Sequence, residues 1–190
     1  MSGRKGRSPK RARGKARILR SKTLHRGKVF DVRLDEVAEP SGVRTTREII
    51  VHPGSVVVLP VLPDGRIVLV RQYRHATGQY LWELVAGCKE PEESPVQGAR
   101  RELLEETGYR ARRYRVFLDI YPAPGFLSER LYILLAEGLT AGAAQPEDDE
   151  KLTARTFSVA ELEKMIRSRR LRDAKSVAGI LFYLRFLRRG

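Results

Sequence analysis

A chain of 190 residues fits one ordinary domain with a small appended segment and can bury a real core. No run approaches the roughly 20 apolar residues that span a bilayer, which excludes a transmembrane helix. A single cysteine, Cys88, excludes an internal disulfide and a zinc-binding thiolate cluster. It agrees with a reducing compartment, and the basic N-terminus lacks the apolar stretch of a secretory signal, so the expected location is cytoplasmic.

The net charge of +14 is unevenly placed. Residues 1–28 hold 12 Lys or Arg and no acid, leaving 25 basic against 23 acidic residues beyond them. The first 17 residues read as a disordered basic tail, either merely solvated or holding polyanions weakly and nonspecifically. A cleaved organelle-targeting segment is the remaining reading of this Arg-rich stretch. Period-2 patterning follows: Val29, Asp31 and Arg33 alternate with Phe30, Val32 and Leu34, and Pro40-Ser41-Gly42 supplies a turn into a strand from Arg44 to Val51. Residues 18–51 are therefore assigned to N-terminal antiparallel strands and 52–190 to the main domain.

Ser55 to Leu62 and Arg66 to Tyr73 flank Pro63-Asp64-Gly65, a hairpin signal; both are near-continuous apolar runs, as central strands are. Leu81 to Val85 reads as one further short strand ending in Ala86-Gly87. Ser94-Pro95 is an N-cap followed by proline at the first helical position, and Gly108 is the C-cap of that helix. Strands are predicted over Tyr114 to Ile120, Arg130 to Glu137 and Leu152 to Phe157, with loops at residues 122–125 and 145–150. Two amphipathic helices close the chain, the first capped by Ser158, the second with a stripe of Val177, Ile180, Leu181, Leu184 and Leu187.

On the helix after Ser94, Val96, Ala99, Leu103 and Thr107 share one face. Glu102 and Glu106, four apart, lie beside it, and Glu105 is three from Glu102. An acidic helix edge is ordinarily a solvated face. Here a glycine loop precedes it, Glu93 stands at the helix entry and Gly108 stops it. Carboxylates clustered without His or Cys select magnesium or manganese over zinc. His25, His52 and His75 are too scattered for a metal set.

Gly87, five residues, Glu93, seven residues, then Arg101-Glu102-Leu103-Leu104-Glu105-Glu106-Thr107-Gly108-Tyr109 resembles the Nudix hydrolase box at every specified position. The resemblance implies an α/β fold, the Nudix-type α/β/α sandwich around a mixed sheet, with the N-terminal antiparallel strand segment added. It implies a pyrophosphohydrolase holding two or three Mg2+ ions, with Mn2+ possible. Glu102 and Glu106 would be metal ligands together with the backbone carbonyl of Ala86. Glu105 would be a further ligand or a base, and Glu93 and Arg101 a supporting ion pair beside Gly87.

Outside the box, Arg47-Glu48, His52-Pro53-Gly54, Arg71-Gln72-Tyr73-Arg74, the stretch from Trp82 to Gly87, and Pro124 in the Ala123 to Arg130 segment resemble the ADP-ribose pyrophosphatase branch. That branch implies Arg47, Glu48 and Arg74 as substrate contacts and Glu129 near a terminal ribose. It implies a catalytic acid from the late loop, Glu150 or else Asp148, and a homodimer. Phe30, Tyr73, Tyr80 and Phe126 are candidates to stack on a base, though each reads more readily as core or surface. Cys88 reads as a passive small residue. The expected reaction is hydrolysis of ADP-ribose or a related nucleoside diphosphate sugar to AMP and ribose 5-phosphate. The alternatives are another nucleoside diphosphate-linked substrate, or a non-catalytic Nudix-fold module that binds nucleotide or RNA.

Overall fold

Ten strands and three α-helices make up the computed structural model, which describes residues 14–142 and 152–188. The chain divides between Val51 and His52 into two compact units.

The first unit is an antiparallel sheet of β1 (Arg17–Arg26), β2 (Asp31–Ala38) and β3 (Arg44–Val51), in that order. β2 and β3 are the hairpin read from the alternation, turning at residues 39–43. β1 is a different matter, because it lies within the basic stretch that shows no apolar period. Every one of its residues is exposed, so its sequence carries no inward-facing stripe; ladder bonds to β2 hold it in place. Asp35 on β2 is nearly inaccessible and accepts from Ser21 Oγ on β1 at 2.6 Å and from Arg33 Nη2 at 2.8 Å.

The second unit is built on a mixed sheet ordered β10-β5-β4-β9-β8. Its strands are β4 (Ser55–Val61), β5 (Ile67–Arg74), β8 (Arg110–Ile120), β9 (Leu131–Thr140) and β10 (Thr153–Phe157). β4 and β9 run parallel and the other pairs antiparallel. β6 (Gln79–Glu83) pairs with β5, and β7 (Val85–Cys88) pairs with the first half of β4. The apolar runs follow from two covered faces. On one side Val57, Leu59, Ile133 and Leu135 meet Leu162 and Met165 of α2 (Val159–Arg167) and Ile180 of α3 (Ala174–Phe182). On the other Val56, Val58, Val68, Val70 and Leu134 meet Ala99 and Leu103 of α1 (Pro95–Thr107). This is the α/β sandwich that the resemblance implied, and the order of elements read from the sequence agrees with it.

Two local readings change. The single strand expected from Leu81 to Val85 breaks at Leu84, where the backbone N–H leaves the ladder and donates to Ser176 Oγ at 2.7 Å. The stripe of the last helix holds in part: Ile180 is buried and Val177 and Leu184 pack against the same core, but Leu181 is 47% exposed, and Leu184 and Leu187 lie in a π-helical turn, Tyr183–Leu187, beyond α3. Among the described residues no helix is long and apolar enough to cross a membrane.

Candidate active site

α1 is defined at both ends. Ser94 Oγ accepts from Gln97 N at 3.3 Å while Gln97 Oε1 accepts from Ser94 N at 2.9 Å, a reciprocal capping box. Gly108, at φ 72°, ends the helix with its N–H donating to Leu104 O at 2.8 Å. Between these stops Ala99 and Leu103 anchor the helix on the sheet, and Glu102 and Glu106, four residues apart, are carried into buried positions beside them.

The loop before α1 accommodates those acids. A Cβ on Gly87 would fall inside the Glu102 carboxylate, so only glycine lets Glu102 lie across β7. Gly98 serves Glu93 in the same way: a Cβ there would stand 2.9 Å from Glu93 Oε2 and 3.2 Å from Val56 Cγ1. The mid-helix glycine thus has a packing reason that offsets its cost in helix propensity.

Arg101 organises the acids. Its Nε and Nη2 donate to the two Glu93 oxygens, each at 3.1 Å, Nη2 donates also to Cys88 O at 3.0 Å, and Nη1 donates to Glu102 Oε1 at 2.7 Å and Glu105 Oε2 at 3.1 Å. Burial pushes the Glu93 carboxyl up, but the Arg101 hydrogen bonds outweigh it and hold the group below its ordinary range. Burial likewise opposes the Arg101 charge and is outweighed by Glu93 and Glu102, so the guanidinium is held firmly protonated. One cation is thus shared among three carboxylates. Among the described residues no three His, Cys, Asp or Glu side chains stand as a ready-made cage for a metal. The donors at hand are hard oxygens, the type that suits Mg2+ or Mn2+.

A cleft of about 340 Å³ opens beside this edge. Ala86, Gly87 and Cys88 of β7 form one wall, Ser55 and Leu131 stand at the starts of β4 and β9, and His52, Arg74, Glu129, Asp173 and Lys175 supply the polar groups. Ser55 Oγ donates to Glu129 Oε1 at 2.5 Å, and His52 Nδ1, 3.8 Å from that oxygen, accepts from Gly54 N at 3.0 Å. Cys88 Sγ is 3.6 Å from His52 Nε2. Burial first, then the nearby Glu129 and Glu102 charges, push the thiol up and keep it protonated, which suits a passive residue.

Behind the cleft residues Arg74 and Lys175 stands Glu83, only 1% exposed, which receives Arg74 through two bonds of 2.8 Å, Nε to Oε1 and Nη2 to Oε2, and Lys175 Nζ on Oε2. Lys175 also reaches Asp173 Oδ1 at 3.0 Å. Asp173 caps α3, accepting from Ser176 N at 3.0 Å and Ser176 Oγ at 2.5 Å. Burial would raise the Glu83 carboxyl; Arg74 and Lys175 outweigh it and hold it below its ordinary value of 4.5.

The residues singled out in the sequence are distributed as follows. Ala86, Gly87, Arg74 and Glu129 line the cleft, and Glu102 lies over Gly87. Pro124 sits in the turn that follows β8, where its near neighbour Pro122 lines the cleft. Arg47 and Glu48 are on β3 of the N-terminal unit, with Arg47 paired to Glu39 at 2.5 Å. Glu150 and Asp148 lie outside the described residues. Tyr73, Tyr80 and Phe126 are about half exposed and do not line the cleft; Phe30, in the N-terminal unit, is also exposed. Sequence reasoning gave no role to Glu83, Asp173 and Lys175. The available signal was Asp173 three residues before Ser176, a helix-start pattern that places Lys175 in the first turn.

Comparisons with known proteins agree with this geometry. The family model described as the NUDIX domain matches residues 51–178. The ADP-ribose pyrophosphatase of Mycobacterium tuberculosis is 36% identical over 167 residues, covering 86% of this chain and 80% of the relative. That of Bacillus subtilis is 34% identical over 168 residues, covering 87% and 91%. A crystal structure of an ADP compounds hydrolase superposes with a TM-score of 0.79 at 25% identity, covering 92% of this chain and 95% of the other. With its box glycine, acid-bearing helix and cleft in one place, the chain belongs to the Nudix family and is a pyrophosphohydrolase.

Proposed function

We propose that this enzyme hydrolyses the diphosphate bond of ADP-ribose, or of a closely related nucleoside diphosphate sugar, giving AMP and ribose 5-phosphate. The observation that carries the reading is the Glu102 carboxylate lying against Gly87, a residue of the cleft lining, with Glu106 one turn along the same buried edge. Likeness to two ADP-ribose pyrophosphatases supports the choice of substrate.

In this reading Glu102, Glu106 and the Ala86 carbonyl hold the divalent metal, Mg2+ or Mn2+, two or three ions to a site. When bound, the metal offsets phosphate charge and makes water a nucleophile at neutral pH. Arg101 keeps Glu93, Glu102 and Glu105 together when the site is charged, and a guanidinium that already binds Glu102 can yield part of it to a cation. Glu105 serves as a further ligand or base, with Glu150, or else Asp148, as the late-loop acid. Arg74 lines the cleft and would contact the diphosphate, while Glu129, fixed by Ser55, would accept from a ribose hydroxyl. Arg47, Glu48 and the homodimer rest on family resemblance alone.

The test is a panel of nucleoside diphosphate sugars and dinucleotides incubated with Mg2+ and resolved by chromatography. ADP-ribose should be among the best substrates and give equimolar AMP and ribose 5-phosphate. Cleavage of other diphosphates with ADP-ribose left intact would overturn the substrate; no cleavage of any, by folded protein, would overturn the reaction.

A further inference from the structure

We infer that Lys175, together with Arg74, forms a two-cation seat for one phosphate of the substrate diphosphate, and that the buried Glu83 is the positioning residue that holds both cations in place. The inference deepens the proposed function and rests on it for the identity of the substrate.

Three observations carry it. First, the two cations share one carboxylate. Glu83 is almost inaccessible, and its two oxygens take Arg74 side-on and Lys175. A flexible lysine is thereby fixed before any ligand arrives, which removes much of the ordering cost of binding. Second, the donors are not exhausted. An ammonium carries three N–H groups, of which Glu83 and Asp173 take two; a guanidinium carries five, of which Glu83 takes two. The remaining donors belong to side chains that line the cleft. Third, the carboxylates beside this seat are already engaged. Asp173, which also lines the cleft, accepts from Ser176 N, Ser176 Oγ and Lys175, so its charge is committed to the start of α3. The Ser176 hydroxyl that completes this cap also receives Leu84 N, so the break between β6 and β7 and the entry of α3 are fixed by one residue.

The cleft therefore lies beside two kinds of group. The α1 carboxylates, with Glu102 against the lining residue Gly87, suit a metal, and the tethered cations of the lining suit the anion that the metal would accompany. A compact, strongly hydrated ammonium binds phosphate as a point charge, and a guanidinium binds it as a fork, so the pair gives both charge and orientation.

The experiment compares wild type with Lys175→Gln, Lys175→Arg and Glu83→Gln, each checked for cooperative unfolding. Steady-state kinetics are run on whichever diphosphate sugar the wild type cleaves, and inhibition by inorganic pyrophosphate is measured alongside. Lys175→Gln should raise KM and the pyrophosphate inhibition constant about 10- to 100-fold, the effect of one charge-assisted hydrogen bond, with kcat within about threefold. Lys175→Arg should recover most of the loss. Glu83→Gln, if folded, should raise KM in the same sense, because its cations are no longer tethered; if it does not fold, the Lys175 pair decides. A folded Lys175→Gln enzyme with unchanged KM and unchanged pyrophosphate inhibition overturns the seat. A wild type that rejects ADP-ribose but shows the predicted changes on another diphosphate overturns only the substrate.

Discussion

Two walls of charged groups, one carried on α1 and one on the cleft lining near α3, use the same chemistry in opposite proportion. On the α1 side one guanidinium is shared by Glu93, Glu102 and Glu105, with Glu106 buried one turn beyond. On the α3 side Arg74 and Lys175 balance Glu83 and Asp173 one for one. A balanced network is complete without a ligand and holds geometry; a carboxylate-rich one gains from an added cation. The contrast teaches that burial of charge does not by itself mark the reacting centre, and that the ratio of carboxylates to cations is the better guide.

The first way to break the comparison is to remove charge from the acid-rich wall. Glu106→Gln keeps the size of the side chain and removes the charge offered to a metal. Turnover should fall by about 10³-fold, the scale of losing several kcal/mol of metal-borne stabilisation. The unfolding midpoint should stay close to wild type, since a carboxylate among like charges contributes little to the fold. Undiminished turnover would remove Glu106 from the ligand set.

The balanced wall should respond in the other way, through stability. Glu83→Gln leaves two cations around a neutral amide in a closed position and should cost about 3 kcal/mol or more in denaturant unfolding. The pH dependence gives the sign independently. Glu83 is held below its ordinary value of 4.5, so its contribution is fully present above about pH 4.5 and is lost as pH falls through the lower, folded value. Wild type should therefore lose stability on acidification below that point more steeply than Glu83→Gln. Equal slopes would mean that Glu83 is not the group linking the network to pH.

A smaller change is expected when the supporting pair on the acid-rich side is cut. Glu93→Gln keeps the hydrogen-bonding shape but weakens the hold on Arg101, and second-sphere changes of this kind cost roughly 10- to 100-fold in metal affinity. The measurement is the Mg2+ concentration giving half-maximal turnover, which should rise while saturating turnover changes little. A loss confined to saturating turnover would instead assign Glu93 to the chemistry.

Much of the acid-rich wall was legible in the sequence because it is local. Ser94, Glu102, Glu106 and Gly108 lie on one helix, whose 3.6-residue period fixes their relation. The balanced wall was not legible, since Glu83 and Lys175 are far apart in sequence and meet only after α3 packs over the β6–β7 break. Strands β4 and β5 could be read from continuous apolar runs because both faces are covered. β1 falls in the segment assigned to N-terminal strands, but its bounds could not be read, because a strand with no buried face leaves no period. Leu181 misled because it adjoins Ile180 in the apolar stripe, yet at 100° per residue it is turned away from the face that Ser176, Gly179 and Ile180 bury.

The smallest expected effect concerns how the two walls are anchored. Both depend on a helix N-cap, Ser94 for α1 and Asp173 for α3, but only Asp173 also joins the ion network. Ser94→Ala removes a cap oxygen while Gln97 and Pro95 remain, so it should cost about 1 kcal/mol of stability and leave KM and turnover near wild type. Glu102 and Glu106 lie at least two turns further on, and Ala99 and Leu103 pin the intervening helix to the sheet. Fraying at the first turn should therefore not reach them. Asp173→Ala removes the corresponding cap and also releases Lys175, so the same stability loss should come with a raised KM. If Ser94→Ala alters KM as much as Asp173→Ala, cap loss alone explains both, and the distinction between an acid wall anchored by packing and a cation wall anchored by its cap is wrong.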